Sequence, residues 1–195
     1  MEDKYSTITA RIGEGFYSEK RSKFLAFAHH VETVEEIKAL LQQYRTKYYD
    51  ARHVCSAYML GSDASVSKAN DDGEPSSTAG KPILGQIISA GLTNVLVVVV
   101  RYYGGVNLGT GGLIVAYRTA AAEALASTEV VEKFVEEDVT FSFPYVMMNG
   151  VMRVVKQMEP RIVSQEFDNT CTIVLRIRKS LAQELKERLD ALAYS

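Results

Sequence analysis

The stretch NVLVVVVRYYGGVNLGTGG, residues 94–112, joins a run of apolar residues to a glycine-rich segment. Residues 95–100 are apolar at every position, so both faces of the strand that they predict must be covered. A helix is predicted next, because apolar residues recur at helical spacing at Leu113, Ala116, Tyr117, Ala120, Ala124 and Leu125. The stretch therefore predicts a central strand that turns tightly into a helix.

The flanking segments predict an α+β domain over residues 1–128. SKFLAFAHHV (22–31) and HVCSAYMLG (53–61) are apolar and of strand length. A helix starts at Thr33, which has capping-box spacing to Glu36, and its apolar face is Val34, Ile37, Leu40, Leu41, Tyr44 and Tyr48. Residues 61–81 contain little apolar content and predict a long loop, and residues 83–92 predict a short helix.

The remaining residues, 129–195, predict a second α+β domain. The pattern indicates a strand, a helix, two strands and a last helix at 139–143, 145–158, 161–167, 171–177 and from Ser180. Asp168-Asn169 is a two-residue hairpin signal, and Ser180 with Gln183 has capping-box spacing. The β-α-β-β-α order is that of a ferredoxin-like unit without its final strand. That strand is either absent or replaced by a different closure.

Composition and charge limit the class of protein. With 47% hydrophobic and 24% charged residues and a net charge of −2, the chain has no globally basic surface, so nucleic acid could bind only at a local patch. Cys55 and Cys171 form no CxxC motif, which favours two buried thiols in a reducing cytosol. We expect a cytoplasmic protein, because the N-terminus lacks the apolar core of a signal peptide and no apolar run is long enough to span a membrane.

The glycine-rich turn is a candidate anion site. Backbone N–H groups of residues 109–112 are expected to be free because a helix begins there, and such helix ends attract anions. Its binding candidates are Gly104, Gly105, Asn107, Gly109, Thr110 and Gly111. Since neither GxxxxGK[ST] nor GxGxxG is present, a tight turn that only packs the helix on the strand remains an equal alternative.

Arg101, Tyr102 and Tyr103 end the central strand just before this turn. Arg101 could pair with an acidic residue or bind a phosphate with two hydrogen bonds. Adjacent tyrosines on a strand point to opposite faces, so only one of the two can line a site. We take Tyr102 as the candidate, although core packing explains both rings.

The stretch NDDGEPSSTAGKP, residues 70–82, supplies the polar candidates Asp71, Asp72, Glu74, Ser76 and Lys81. Its carboxylates could hold Mg²⁺ or form an acid–base pair, but a solvated loop is the favoured interpretation of the same residues. No activated nucleophile is evident, so we assign no catalytic residue, no metal and no cofactor. We predict that Asp71 or Asp72 lies within salt-bridge reach of Arg101 or Lys81, so that this stretch and the glycine turn form two walls of one cleft.

A basic cluster lies near the start of the chain. Lys20, Arg21 and Lys23 could form a local positive patch together with Arg52, Lys81, Arg101 and Arg118. Scattered, solvated charges are an equal alternative.

The sequence also resembles a known family. GKPILGQIISAGLTNVLVVVVRYYGGVNLG (80–109), preceded by NDDGEPSSTAG, is similar to the signature region of the IMPACT family, which includes bacterial YigZ-type proteins. KRSKFLAFAHHV (20–31) and ARHVCSAYMLG (51–61) fit the same family. The resemblance covers about residues 5–125. The second domain resembles the small C-terminal domain of the bacterial members, which is similar to domains of elongation factor G.

The resemblance implies a fold and a role. The first domain would have the fold of the second domain of a small-subunit ribosomal protein, and the second would be ferredoxin-like. Eukaryotic members regulate translational initiation by binding an activator of a kinase that modifies an initiation factor, using an added RWD domain. This sequence shows no counterpart of that domain, so we do not expect the same partnership.

We therefore expect a non-enzymatic regulator of translation that binds RNA, the ribosome or a translation-related protein through a cleft in the first domain. One alternative is a phosphate- or nucleotide-binding enzyme that uses the glycine-rich loop, with Mg²⁺ held by the acidic stretch. Another is a partner-binding module without ligand chemistry. No membrane contact and no DNA specificity are expected.

Overall fold

The computed structural model describes residues 3–194 and divides the chain into two compact units. The first unit comprises residues 5–133, and the second comprises residues 134–194 together with residues 3 and 4. Strand β1 (Lys4–Ile8) pairs with strand β7 (Val130–Phe134), and each of these strands crosses the boundary between the units. That the units are independently folding domains divided at residue 128 stays a prediction.

The first unit is built on a five-stranded antiparallel sheet with the order β2-β3-β6-β4-β5. Its strands are β2 (Gly13–Glu19), β3 (Ser22–His30), β4 (His53–Leu60), β5 (Val66–Asn70) and β6 (Val95–Tyr102). Three helices accompany them, α1 (Val34–Lys47), α2 (Gly80–Ser89) and α3 (Gly109–Ala126). The predicted central strand is confirmed, because β6 occupies the middle of the sheet.

Apolar cores cover both faces of β6, as its sequence predicts. Val95, Val97 and Val99 belong to the core that α2 and α3 complete, whereas Leu96, Val98 and Val100 belong to the core beneath α1. All six side chains are fully buried. The alternation of a strand sends successive side chains to opposite faces, so a uniformly apolar strand requires a cover on each.

The start of helix α1 confirms Thr33 as the N-cap and shifts the second hydrogen bond of the predicted capping box by one residue. The Glu36 N–H donates to the Thr33 hydroxyl over 3.1 Å, and the Glu36 carboxylate accepts from the Glu32 N–H over 3.0 Å. The hydrogen bond to the Glu36 carboxylate therefore comes from Glu32, the residue before the N-cap Thr33. Two free donors at the helix start are satisfied.

The prediction of one loop over residues 61–81 is wrong. Residues 66–70 form β5, an edge strand with the polar sequence VSKAN, and α2 begins at Gly80. An exposed edge strand need not alternate apolar residues, so its composition resembles that of a loop. Glycine is required where α2 meets β5, because a Cβ on Gly80 would lie 2.5 Å from the Asn70 nitrogen.

The second unit has the predicted β-α-β-β-α order. Its elements are β8 (Glu136–Phe143), α4 (Met148–Met158), β9 (Arg161–Phe167), β10 (Cys171–Arg178) and α5 (Lys179–Ala191). The three strands form an antiparallel sheet with the order β8-β10-β9. Helices α4 and α5 complete its core, which includes Val151, Ile173, Leu175, Leu185 and Leu189. The α+β class is thus confirmed, and the ferredoxin-like relationship of this unit stays a prediction.

Two local predictions in the second unit need correction. Phe167 pairs with Cys171, so the hairpin loop contains the three residues 168–170 instead of two. Ser180 and Gln183 do not cap α5, because the helix already begins at Lys179 and its N-cap residue Arg178 provides no side-chain cap.

The start of α5 is instead satisfied by Asp3. Its carboxylate accepts from the Ser180 N–H over 3.0 Å and from the Arg178 Nε over 2.8 and 3.0 Å. Hydrogen bonds from Arg178 hold the pKa of the Asp3 carboxyl well below its usual range. Local spacing could not reveal this cap, because 177 positions separate Asp3 from Ser180.

Candidate functional site

A buried ionic network centred on Glu74 lies within the first unit. The Glu74 side chain is 3% exposed, and Arg101 Nη1 lies 2.8 Å from each of its carboxylate oxygens. His53 Nε2 lies 2.8 Å from Oε1, and the Tyr117 hydroxyl donates to Oε2 over 2.9 Å. One carboxylate therefore accepts from three side chains, which compensates for the loss of its hydration.

The register of the sheet assembles this network. Arg101 on β6 stands between Phe24 on β3 and His53 on β4, so the three residues form one row across adjacent strands. Tyr117 comes from α3, and its ring meets that of Phe24 edge-on with centroids 5.1 Å apart. Glu74 enters from the loop between β5 and α2. The network thus fixes this loop against the sheet and α3.

The Arg101 guanidinium is enclosed on its remaining sides. It lies 5.5 Å from the ring centroids of both Phe24 and Tyr103, and Nη2 donates to the Ser22 hydroxyl over 3.4 Å. Its Nε is buried and has no hydrogen-bond partner within residues 3–194. Arg101 therefore depends on Glu74 as its counter-charge.

His53, Cys55 and Tyr117 complete the network as hydrogen-bond donors. His53 Nδ1 lies 2.7 Å from the Asp72 carbonyl oxygen, and its Nε2 lies 2.8 Å from the Glu74 carboxylate, so both ring nitrogens face oxygen acceptors. Cys55 Sγ lies 3.3 Å from the Tyr117 hydroxyl oxygen. Burial raises the pKa of the Cys55 thiol and of the Tyr117 phenol well above their ordinary values, so both groups keep their protons near neutral pH.

The carboxylates of Asp71 and Asp72 bind backbone N–H groups and take no part in the Glu74 network. The Asp71 carboxylate accepts from the backbone N–H groups of Ser77, Ala79 and Gly80 over 2.9, 3.2 and 2.8 Å. Asp72 accepts from the Val54 N–H over 2.7 Å. The predicted salt bridge to Arg101 is wrong, because Glu74 is the partner of Arg101. Lys81 forms no ion pair within 4 Å with either aspartate in residues 3–194, although its charge contributes to lowering the pKa of Asp71.

Asp71 leads to a prediction about acid stability. Burial disfavours its charge, yet hydrogen bonds from Gly80, Ser77 and Ala79 outweigh burial and hold its pKa below the usual 3.8. A carboxyl whose pKa is lower in the folded state stabilises the fold above the unfolded-state pKa, and this stabilisation is lost as pH falls through the folded-state pKa. We expect Asp71→Asn to lower the free energy of unfolding near neutral pH, and the difference from wild type to shrink below pH 3.8.

Urea unfolding followed by circular dichroism over an acid pH series measures this difference. Asp190→Asn, at an exposed carboxylate on α5, is the control. Its difference from wild type in the free energy of unfolding should not shrink at acid pH. A difference for Asp71→Asn that stays constant with pH would contradict the role of the ionised carboxylate.

The glycine turn forms the second part of the candidate site. Helix α3 begins at Gly109 without a side-chain cap, so the N–H groups of residues 109–112 have no side-chain acceptor at the helix end. Gly105 and Gly109 adopt φ angles of 89° and 73°, which glycine tolerates best. Gly111 and Gly112 line a cavity of about 300 Å³ together with Tyr17, Glu19, Lys20, Leu108 and Val115.

A cationic turn adjoins this helix end. Lys20 and Arg21 connect β2 to β3 with φ angles of 45° and 69°, a left-handed pair that usually contains Asn-Gly. Both side chains are exposed. A Cβ on Gly104 would lie 2.2 Å from the Arg21 carbonyl carbon, and the Gly104 N–H donates to the Ser22 hydroxyl over 3.2 Å. The turn therefore packs directly on the glycine-rich segment. We call Lys20, Arg21 and residues 109–112 the anion surface.

The other candidates are dispersed. Tyr102 lies on the α1 face of the sheet, opposite to Arg101, and its hydroxyl donates to Asp50 over 2.9 Å. Tyr103 instead lies beside Arg101, its ring is 4.9 Å from the Arg52 guanidinium, and its hydroxyl donates to Asn107 over 3.1 Å. Ser76, Lys81 and Thr110 are exposed.

Sequence reasoning missed His53 and Tyr117 as parts of the site. The Tyr117 position was predicted as core, and its hydroxyl gives no separate signal. His53 becomes visible only through its pairing with Arg101.

Residues 3–194 contain no group of three or more His, Cys, Asp or Glu side chains that could hold a metal ion. Nor does any helix in this part reach the length and apolar character needed to cross a membrane.

Comparison with known proteins gives consistent matches. The family described as the Impact N-terminal domain matches residues 20–125, which include the ionic network and the anion surface. The Escherichia coli protein "IMPACT family member YigZ" is 35% identical over 160 residues, which cover 81% of this chain and 78% of that protein. The yeast "Protein IMPACT homolog" is 38% identical over 97 residues, 47% of this chain and 37% of that protein. A crystal structure described as that of a hypothetical protein has a TM-score of 0.77 and 29% identity, and covers 100% of this chain and 95% of its own.

Proposed function

This chain belongs to the IMPACT family, and from that premise we propose that it regulates translation by binding RNA phosphates through the anion surface of its first unit. RNA free in solution and RNA in the ribosome offer the same phosphates. The family resemblance supports the link to translation, since it implies that eukaryotic members regulate translational initiation. The proposed activity is binding, without a reaction catalysed by this chain.

One observation carries the RNA proposal, namely that Lys20 lies beside the uncapped start of α3, while the backbone of the next residue, Arg21, packs on Gly104. Free N–H groups and the helix dipole attract phosphate oxygens, and two exposed cations increase that attraction. Left-handed backbone is costly for residues other than glycine, and such conformations cluster at functional sites. The turn places Lys20 at the cavity beside the helix end, and Arg21 follows it in the chain.

The Glu74 network supports a structural role for the stretch NDDGEPSSTAGKP, residues 70–82. Its carboxylate accepts from Arg101, His53 and Tyr117, so the charges compensate each other. Asp71 in turn binds the backbone at the start of α2. These side chains hold residues 71–80 in place, and we infer that they stabilise the unit that carries the anion surface.

The net charge of −2 implies binding that is local and sensitive to salt. We expect the protein to co-sediment with ribosomes and to bind a fluorescent single-stranded RNA at low salt, with affinity falling steadily as salt rises. Co-sedimentation and fluorescence anisotropy over a salt series measure both.

Absence of any association at low salt would contradict the proposal. Thermal stabilisation by a nucleotide with Mg²⁺, without RNA binding, would instead favour the alternative of a nucleotide-binding enzyme.

A further inference from the structure

A second surface of the first unit lies where α1 leaves the sheet uncovered. Leu25 and Phe27 on β3 pack against the core beneath α1, whereas Phe16 on the neighbouring strand β2 is 46% exposed. A cavity of about 430 Å³ opens here. It is lined by Glu14, Gly15, Phe16, Leu25, Phe27, Tyr48 and Glu123, which we call the aromatic cleft.

Two of the rings in this cleft, Phe27 and Tyr48, are held by neighbouring rings. Phe27 and Tyr48 stack with ring centroids 5.9 Å apart. Tyr44 contacts both rings: Phe27 is tilted against it at 4.9 Å, and Tyr48 is stacked on it at 6.2 Å. Tyr44 is buried. Preordered aromatic rings lose little conformational entropy on binding, which favours them as contact surfaces.

The charged residues that line the cleft are both acidic. Its charged lining residues are Glu14 and Glu123, and both are exposed. Carboxylates and the faces of aromatic rings both attract cations, whereas they repel the phosphates of a nucleic acid. One ring of the cleft already attracts a cation of the chain itself, since Lys47 Nζ lies 5.3 Å from the centroid of the Tyr48 ring.

The adjacent strand edge is already occupied. The Glu14 N–H donates to the Ser127 hydroxyl over 2.8 Å, and the Phe16 N–H donates to Glu123 Oε1 over 3.4 Å. Gly13 and Gly15 allow α3 to lie directly against β2, since a Cβ on either would come within 2.5 Å of an α3 carbonyl oxygen. A partner that adds a strand to this edge would have to displace these contacts. Side chains are therefore the part of a partner that fits the cleft.

We propose that the aromatic cleft binds lysine or arginine side chains of a basic protein segment. It lies on the α1 face of the sheet, whereas Arg101 and Glu74 lie on the α3 face. The first unit thus has two binding surfaces with opposite charge preference. This inference does not depend on the RNA proposal.

The test uses a peptide of alternating arginine and glycine and a matched peptide of alternating glutamate and glycine. Backbone amide shifts in two-dimensional NMR of the full chain locate the contacts, and titration gives the affinity. We expect the arginine peptide to perturb Phe16, Phe27 and Tyr48 in a saturable manner and the glutamate peptide to have no effect.

Variants of the full chain distinguish binding of the arginine peptide in the cleft from its general electrostatic attraction to the protein. Glu14→Gln/Glu123→Gln keeps an acceptor for the Phe16 N–H and should weaken binding of the arginine peptide roughly 3- to 20-fold. The control Glu35→Gln/Asp190→Asn removes two other exposed carboxylates and should keep the affinity within about 2-fold. Phe16→Ala tests the ring and should weaken binding without a large change in stability, since Phe16 is half exposed.

Three outcomes would overturn the proposal. The first is an arginine peptide whose affinity responds equally to the cleft variant and the control. The second is single-stranded RNA, or the glutamate peptide, that perturbs the cleft residues. The third is self-association of the protein that Phe16→Ala abolishes, which would assign the cleft to a second copy of the chain.

Discussion

Replacing Glu74 with alanine is expected to lower the free energy of unfolding of the first unit by about 3–5 kcal/mol. The substitution leaves Arg101 in the interior without its counter-charge, and Arg101 is only 5% exposed. It also removes the acceptor for His53 and for the Tyr117 hydroxyl. Breaking a buried ion pair on one side is costly because the remaining charge stays desolvated.

Hydrogen exchange of the β6 amides measures this loss, because those amides lie in the central strand and report the opening of the whole unit. Glu35→Ala, at an exposed carboxylate in the first turn of α1, is the control and should change stability by no more than about 0.5 kcal/mol. A loss below about 1 kcal/mol for Glu74→Ala would contradict a buried, compensated pair.

A double-mutant cycle separates the pair from the rest of the network. Arg101→Met alone should destabilise the unit, since it leaves the Glu74 carboxylate buried with only His53 and Tyr117 as donors. The combined Glu74→Leu/Arg101→Met variant removes both charges and should be less destabilised than the sum of the losses measured for Glu74→Leu alone and Arg101→Met alone. Additive losses would show that the two side chains are not coupled.

The second large effect concerns binding. We expect Lys20→Glu/Arg21→Glu to lower the affinity for single-stranded RNA at least about 10-fold at low salt, because two favourable charges at the anion surface become repulsive. Stability should change little, since both side chains are exposed. Lys38→Glu/Arg45→Glu makes the same change in net charge on exposed positions of α1 and should retain most of the affinity. Equal losses in the two variants would indicate that only the overall charge matters.

Several features of the fold follow from local sequence signals. Residues 95–100 are apolar at every position, and a strand of that kind is stable only with a cover on both faces. Thr33 and Glu36 cap a helix through contacts within four positions of one another. Such features depend on neighbours in the chain, so the sequence contains the information needed to predict them.

The partner of Arg101 depends on a turn that the sequence does not specify. Asp71, Asp72 and Glu74 are nearly equivalent candidates by position. In the structure, Asp72 and Gly73 adopt φ angles of 43° and 86°, which reverse the chain. Asp71 then binds the start of α2, and Glu74 enters the core.

Other features depend on pairings between distant segments. His53 joins the network only because β4 pairs with β6 in one register, which places it opposite Arg101. Asp3 caps α5 from the other end of the chain. Strand β5 is recognisable through its ladder with β4, since its polar residues give no apolar alternation.

The most direct test of RNA binding at the anion surface is the salt dependence of affinity for single-stranded RNA, compared between wild type and the two charge-reversal variants. Each phosphate contact with a cation contributes about 0.7 to the slope of log affinity against log salt concentration. The proposal predicts that Lys20→Glu/Arg21→Glu lowers the magnitude of this slope by about 1.4, whereas Lys38→Glu/Arg45→Glu leaves it unchanged. Identical slopes for wild type and Lys20→Glu/Arg21→Glu would contradict it.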